Sequence, residues 1–234
     1  PVMPGVEFVP CGDEEALAEA VDEETAAVFL EPVQGEGGVN PAPEGYLSAA
    51  REATAAADAA LVFDEVQSGM GRTGTLWACD RAGVVPDMLT TAKGIANGLP
   101  MGATVCADWV AEGAGPHGST FSGGPVMCAA ANTTLETMVE EEVPAHAHSV
   151  GEYLVAELES TVGDRVREIR GEGLFVGIEV KRGSNPIVRD LAIDHGILAL
   201  PAGRTVVRLL PPLTIERGHA DRLVAALDDV LEER

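Results

Sequence analysis

The strongest indication of the fold is LVFDEVQSGMGRTG, residues 61–74. It runs from an apolar, β-prone segment straight into Asp64, Glu65 and Gln67, and then into a glycine-rich loop. In an open α/β sheet, ligands bind outside the carboxyl ends of the strands, so an acid at this point faces a binding site. An acid that ends a strand can also be an ordinary solvated residue. The segment therefore indicates a strand end, and its chemistry depends on the residues around it.

Short apolar segments alternate with alanine-rich ones in the first half of the chain. The apolar, β-prone segments are residues 6–9, 27–30, 61–63, 88–91 and 104–106, and residues 47–60 form the clearest helical stretch. Short buried strands separated by helices are typical of a mainly parallel α/β sheet. We therefore expect a large α/β domain over residues 1–138.

The pattern changes in the second half of the chain. Residues 126–158 have a helical pattern that is broken near Pro144. A predicted strand (173–180), helix (188–195), strand (206–209) and amphipathic helix (216–232) follow. This order predicts a smaller α+β domain over residues 139–234.

The charge balance excludes several classes of partner. The chain has 38 Asp+Glu against 15 Lys+Arg and a net charge of −23, so nucleic acid and anionic membranes are poor partners. High salt would screen this self-repulsion, and we expect a halophilic source. The four cysteines show no C-x-x-C spacing, which argues against a zinc site or a disulfide framework and fits a reducing cytoplasm. We predict no metal site.

Lys93, in TTAKGIANGLP (residues 90–100), is one of only two lysines in the chain; the other is Lys181. It follows the predicted strand 88–91, so it would lie near Asp64 at the edge of the sheet. Arginine serves a surface equally well, but it cannot be deprotonated and cannot form an imine. Pyridoxal phosphate needs a lysine for its aldehyde and a carboxylate beside its pyridine nitrogen. Lys93 and Asp64 therefore predict this cofactor.

Two other segments agree with that prediction. Gln67 could donate a hydrogen bond to the phenolic oxygen of the cofactor ring. The Gly-Ser-Thr triplet in HGSTFSGGP (residues 117–125) offers hydroxyl groups and backbone amides suited to phosphate.

Five segments, in order, resemble the class III pyridoxal-phosphate aminotransferases, and within them the acetylornithine aminotransferase branch. They are EPVQGEGGVNPAPEGYL, LVFDEVQSGMGRTG, PDMLTTAKGIANGLPMGA, HGSTFSGGP and VVRLLPPLTI. The resemblance covers essentially the whole chain. It implies fold type I, with a partial large domain followed by the small C-terminal domain.

The resemblance implies a role for each residue of the cofactor site. Lys93 would form the imine and shuttle the proton between the substrate Cα and the cofactor C4′ carbon. Asp64 would pair with the pyridinium nitrogen, and Gln67 would contact the ring hydroxyl. Thr120, with Ser119 beside it, would reach the cofactor phosphate of a neighbouring subunit, which implies a homodimer.

The resemblance also implies a substrate site. Arg208 would hold the substrate α-carboxylate through two parallel hydrogen bonds. Glu36 would pair with Arg208 in one half-reaction and release it when a dicarboxylate binds.

Two departures from the family pattern stand out. Residues 122–125 are Ser-Gly-Gly-Pro where the family usually has Gly-Gly-Asn-Pro, so the asparagine contact is absent. In the family, the loop that holds the phosphate within its own subunit, the aromatic residue that stacks on the ring and an arginine for the substrate side chain lie upstream of the region equivalent to Pro1. We therefore expect this chain to be the C-terminal part of a longer enzyme.

The resemblance implies ping-pong transfer of the ω-amino group of N-acetylornithine, or of a similarly blocked ornithine or lysine, to 2-oxoglutarate in arginine or lysine biosynthesis. Carrier-protein-linked donors remain an alternative, as do ornithine, 4-aminobutyrate and diaminopelargonate aminotransferases. Gln67 disfavours the glutamate-semialdehyde mutase. A hypothesis of another class is an inactive, truncated remnant that acts as a binding or dimerisation module.

Overall fold

The computed structural model describes residues 3–115, 118–120 and 122–232. In the first half, the elements are α1 (Glu14–Ala20), β1 (Ala27–Leu30), β2 (Val33–Gln34), β3 (Asn40–Pro41), α2 (Tyr46–Ala56), β4 (Ala60–Asp64), β5 (Met88–Thr91), β6 (Ala103–Cys106) and α3 (Asp108–Gly113). In the second half, they are α4 (Pro125–Glu140), α5 (Val143–Val162), β7 (Glu168–Glu172), β8 (Phe175–Glu179), α6 (Ser184–Asp194), β9 (Leu200–Ala202), β10 (Val206–Leu209) and α7 (Arg217–Glu232). Short 3-10 turns cover Ala78–Ala82, Lys93–Ala96 and Gly163–Arg165.

The first sheet has the strand order β1-β4-β5-β6. Strands β1, β4 and β5 are parallel, and β6 is antiparallel to β5. Leu61, Phe63 and Leu89 are buried from this sheet in one cluster with Tyr46 and Leu47 of α2. The mainly parallel sheet expected from the sequence is confirmed, and it brings the carboxyl ends of β4 and β5 to the same edge.

The second sheet is antiparallel throughout, with the order β7-β8-β10-β9. Its core is a second cluster to which α5 contributes Leu154 and Leu158, α7 contributes Leu227, and the sheet contributes Ile178 and Val207. This is the α+β architecture expected for the C-terminal part. The domain boundary at residue 138 stays a prediction; α4 runs through this position and ends at Glu140.

Three expectations about local structure were wrong. The segment 6–9 joins no sheet in the described part of the chain, and Val6 and Phe8 are exposed, so no neighbouring strand completes a ladder there. The predicted helix 47–60 ends at Ala56, because Asp58 takes a left-handed conformation (φ +56°) and Ala60 already begins β4. Strands β7 and β9 were not predicted, because the sequences EIRGE and LPA contain no apolar run.

The helical break near Pro144 is confirmed. Helix α4 ends at Glu140, Glu142 has a positive φ of +50°, and Pro144 lies in the first turn of α5. Proline is tolerated there because the first amides of a helix have no intrahelical partner. Within the described residues, none of the helices has the length and apolar composition needed to span a bilayer.

Candidate active site

Asp64 lies at the carboxyl end of β4, directly beside Thr90 of β5. Its Oδ1 accepts hydrogen bonds from the Val66 amide (3.0 Å) and from Thr90 Oγ1 (3.3 Å). Its Oδ2 has no hydrogen bond from the described residues. The fold therefore fixes this carboxylate by one oxygen and leaves the other open to solvent.

Lys93 lies two residues beyond β5, at the edge of the sheet where β4 also ends. Its φ is +47°, a left-handed conformation that is uncommon for a residue with a side chain. The side chain is exposed, and its amine makes no hydrogen bond within the described residues. Backbone strain of this kind is found at functional sites, where the surrounding structure imposes it.

Glu65 does not face the site, although it follows Asp64 in sequence. It is buried; its Oε2 accepts a hydrogen bond from Ser68 Oγ (2.5 Å), and its Oε1 accepts one from the Cys79 amide (2.9 Å). Burial, together with the charge of Glu65, raises the pKa of the Cys79 thiol to about 12. Through these two hydrogen bonds, Glu65 connects the loop after β4 to the turn at residues 78–82. Nothing in the local sequence distinguishes Glu65, which is buried, from Asp64, which is exposed.

The half-buried Arg72 connects the same loop to the second half of the chain. Its Nη1 donates to the carbonyl oxygens of Leu174 (3.1 Å) and Pro211 (2.6 Å). Burial lowers the pKa of this guanidinium to about 10. The loop that follows Asp64 therefore contacts the segments beside both β8 and β10.

Arg208, Glu36 and Gln67 form one polar cluster. Arg208 Nη1 donates to Glu36 Oε1 (2.8 Å) and to Gln67 Oε1 (3.2 Å), and Gln67 Nε2 donates to Glu36 Oε1 (3.3 Å). The Arg208 side chain is 7% exposed and the Glu36 side chain is 73% exposed. Arg208 Nε is buried and has no hydrogen-bond partner among the described residues.

The electrostatics of Glu36 follow from this cluster. The hydrogen bond from Arg208, and then the charge of Arg208, hold the pKa of the Glu36 carboxyl below its ordinary value. The hydrogen bond from Gln67 and the charge of Lys93 act in the same direction. Glu36 is therefore ionised at neutral pH and lies within the electrostatic range of Lys93.

Gln67 and Lys93 line one cleft of about 540 Å³ between the two halves of the chain. The lining also includes Arg72, Asn97, Thr133 and the segment 212–214. The volume is in the range of sites for small molecules and cofactors. Gly35 lies against Gln67, and a Cβ atom at Gly35 would approach the Gln67 side chain to 2.6 Å. A glycine at position 35 therefore leaves room for the Gln67 side chain beside Glu36.

The structure brings five predicted site residues into one region: Lys93, Asp64, Gln67, Arg208 and Glu36. It does not bring Ser119 and Thr120 to them. Both lie exposed in the segment between α3 and α4, and neither forms a hydrogen bond with the described residues. Their predicted contact with a neighbouring subunit's cofactor stays a prediction.

Comparison with known proteins places the chain in a family. The family described as Aminotransferase class-III matches residues 11–231. The chain is 42% identical to the acetylornithine aminotransferase of Methanosarcina mazei over 233 residues, which covers 100% of this chain and 58% of that protein. It is also 42% identical to the LysW-aminoadipate semialdehyde transaminase of Deinococcus radiodurans over 228 residues, 97% of this chain and 53% of that protein.

Solved structures show the same relationship. The ornithine aminotransferase of Toxoplasma gondii, in which PLP partly occupies the active site, matches with a TM-score of 0.94 and 34% identity, over 100% of this chain and 57% of that one. The N-acetylornithine aminotransferase of Stenotrophomonas maltophilia matches with a TM-score of 0.88 and 35% identity, over 97% and 62%. The chain thus spans somewhat more than half the length of these relatives. It belongs to the class III aminotransferase family.

Proposed function

We propose that the protein to which this chain belongs is a pyridoxal-phosphate-dependent aminotransferase. It moves the ω-amino group of N-acetylornithine, or of a similarly blocked ornithine or lysine, to 2-oxoglutarate. The observation that carries this proposal is the shared cleft of Lys93 and Gln67, to which Arg208 is joined through Gln67. The names of the relatives support the choice of donor.

Pyridoxal phosphate fits the residues of this chain. The Lys93 amine, without a hydrogen bond to the described residues, is available to bond to the cofactor aldehyde. Asp64 Oδ1 is held by two donors, which leaves Oδ2 for the pyridine nitrogen. When bound, the cofactor supplies an electron sink for the carbon that carries the transferred amino group.

Lys93 also has a role in proton transfer. As a free amine, Lys93 Nζ would take the proton from the substrate carbon that carries the amino group and deliver it to the C4′ carbon of the cofactor, which is general acid–base catalysis. The positive φ of Lys93 sets the direction in which its side chain leaves the backbone at the edge of the sheet. The Asp64 carboxylate would favour protonation of a pyridine nitrogen held beside it.

Arg208 is the residue we assign to the α-carboxylate of the oxo acid. Its buried Nε lacks a partner among the described residues, so an incoming carboxylate would satisfy that donor as well as add charge-assisted hydrogen bonds. Glu36 holds Nη1 of the same guanidinium. Because the Glu36 side chain is largely exposed, it can move away when a dicarboxylate enters.

We further propose a homodimer in which Ser119 and Thr120 reach the cofactor phosphate bound by the partner subunit. A cytoplasmic location and a halophilic source follow from the composition of the chain and belong to the same proposal. The acidic charge of −23 supports the second of these.

The test compares the two lysines of the chain in the complete protein. Wild type, Lys93→Ala and Lys181→Ala are supplied with pyridoxal phosphate, 2-oxoglutarate and one donor, and glutamate formation is measured. Lys181 is the matched control, because among the described residues its amine donates only to the carbonyl oxygen of Asp164. We expect Lys93→Ala to lose at least about 100-fold in multiple turnover, and Lys181→Ala to keep its rate.

The donor series separates the alternatives. N-acetylornithine is expected to outperform free ornithine and 4-aminobutyrate. Preference for free ornithine would overturn the assigned donor, and normal turnover by Lys93→Ala would overturn the assigned lysine. Cofactor binding without turnover on any donor would favour the inactive binding module.

A further inference from the structure

We infer that Arg170 is a positioning residue that holds the loop carrying Glu36 against the second sheet. The loop, residues 35–39, connects β2 to β3, and we call it the Glu36 loop. Arg170, Gly177 and Arg208 form a row across three neighbouring strands, which we call the arginine row. The inference rests on the proposed function, since that function gives Glu36 and Arg208 their roles at the substrate site.

The arginine row follows from strand register. Arg208 of β10 lies opposite Gly177 of β8, and Gly177 lies opposite Arg170 of β7. Residues directly opposite each other in adjacent strands project on the same face of a sheet. Two arginines therefore flank a glycine on one face, and the Glu36 loop packs on that face.

Arg170 donates hydrogen bonds to the backbone of the Glu36 loop. Its Nε donates to the carbonyl oxygens of Gly38 and Val39, each at 3.1 Å. Its Nη1 donates to Glu168 Oε2 (2.6 Å) and to Glu179 Oε2 (2.9 Å). The side chain is only 14% exposed. Two carboxylates thus orient the guanidinium toward the loop.

Gly177 allows the loop to approach the strand closely. A Cβ atom at this position would lie 2.8 Å from Val39 Cβ and 3.0 Å from the carbonyl oxygen of Gly38. Gly38 has a φ of +122°, and a Cβ atom there would lie 3.1 Å from Arg170 Nη2. Glycine in a strand interior often marks such an approach of another backbone.

Val39 shows that the loop is constrained. It is fully buried against Val33 and Phe175, yet its φ is +56°. A β-branched residue takes this conformation only where the surrounding structure imposes it. Without the hydrogen bonds from Arg170, we expect the loop to relax away from the sheet.

The position of Glu36 depends on both ends of the loop. The Gly35 amide donates to Glu31 Oε2 (3.0 Å) at one end, and Arg170 binds the carbonyl groups of residues 38 and 39 at the other. Glu36 lies between Gly35 and Gly37, two residues that restrict the backbone little. Arg170 therefore determines how often the Glu36 carboxylate returns to Arg208.

The test measures amide hydrogen exchange of the complete protein without added cofactor. Arg170→Met is expected to increase exchange of the Glu36 loop and β3 about two- to tenfold, the equivalent of one or two lost hydrogen bonds, and to leave β4 unchanged. Arg167→Met is the matched control: Arg167 also reaches Glu179 (3.4 Å) but makes no hydrogen bond to the loop. Equal exchange of the loop in the two variants would overturn the inference.

A second variant covers the possibility that Arg170→Met disrupts β7. Gly38→Ala leaves the sheet residues in place and pushes the loop away from Arg170, because of its positive φ and the close approach to Nη2. It should reproduce the increase in loop exchange with normal protection of β8. Unchanged exchange of the loop in Gly38→Ala would contradict the inference.

Kinetics then test the consequence for the site. Because Glu36 competes with the oxo acid for Arg208, Arg170→Met is expected to lower the KM for 2-oxoglutarate about two- to tenfold with an unchanged kcat for that half-reaction. Increased loop exchange with an unchanged KM would overturn the positioning role. A wild-type protein without any turnover would overturn the proposed function alone, since the exchange comparison needs no catalysis.

Discussion

The two sheets present their functional side chains in different ways. In the first sheet, Asp64 and Lys93 lie at or just beyond the ends of β4 and β5, exposed and lightly bonded. In the second sheet, Arg170 and Arg208 project from within β7 and β10, are largely buried, and both donate hydrogen bonds to the segment between β2 and β3. Chemistry on a cofactor needs reachable groups, whereas recognition of a carboxylate benefits from a fixed, desolvated guanidinium.

The functional residues of the two sheets also differ in how far apart their partners lie in the sequence. Asp64 and Lys93 follow neighbouring parallel strands, so topology alone brings them to one edge. The hydrogen bond from Arg208 to Glu36 joins residues 172 positions apart. The proximity of Asp64 and Lys93 therefore depends on two neighbouring strands, whereas the contact between Arg208 and Glu36 depends on the fold of the whole described chain.

The largest expected effect comes from removing the buried guanidinium of the second sheet. In the complete protein, Arg208→Met should lower kcat/KM for 2-oxoglutarate by about 30-fold to several thousandfold, because a buried charge pair typically contributes about 2–5 kcal/mol. Arg204→Met, at an exposed turn residue nearby, is the control and should stay near wild type. Equal kcat/KM values for the two variants would show that the buried guanidinium of Arg208 does not recognise 2-oxoglutarate.

A smaller effect is expected in the first sheet, on stability. Glu65→Ala leaves the Cys79 amide and the Ser68 hydroxyl without their buried acceptor, at about 1–3 kcal/mol for each group. Urea unfolding followed by tryptophan fluorescence measures the change, since Trp77 and Trp109 both lie in the first half of the chain. The exposed control Glu44→Ala should change stability by less than about 0.5 kcal/mol. Equal urea midpoints for Glu65→Ala and Glu44→Ala would mean that Glu65 does not stabilise the loop after Asp64.

The smallest effect concerns pH. Arg208 holds the pKa of Glu36 below its ordinary value, so the ion pair is complete above the ordinary glutamate pKa of about 4.3 and is lost as pH falls through the lowered value. Carboxyl titration by NMR should therefore show the Glu36 pKa rising in Arg208→Met. Glu179, whose pKa is lowered chiefly by the hydrogen bond from Arg170, should titrate as before in that variant. An unmoved Glu36 would contradict the pairing.

The sequence predicts the first sheet better than the second for physical reasons. Segments 61–63 and 88–91 are β-prone runs, and Asp64 follows the first directly while Lys93 lies two residues beyond the second, so both the strands and their chemistry are visible locally. Strand β7, EIRGE, has three charged residues among its five and carries a glycine at φ +144°, and only its neighbours make it a strand. The role of Arg170 could not be predicted, because nothing near it in sequence indicates the Glu36 loop.

The same reasoning explains two other differences. Residues 6–9 have strand composition, but composition does not provide a neighbouring strand. Asp64 and Glu65 are adjacent acids, and only packing shows that one faces solvent and the other is buried beneath the loop.

In the proposed function, Lys93 is the amine that bonds to the cofactor. The direct measurement is borohydride reduction of the complete protein with pyridoxal phosphate, followed by proteolysis and mass mapping. We expect a phosphopyridoxyl group on the peptide containing Lys93 and none on the peptide containing Lys181. Modification of another lysine, with Lys93 unmodified, would contradict it.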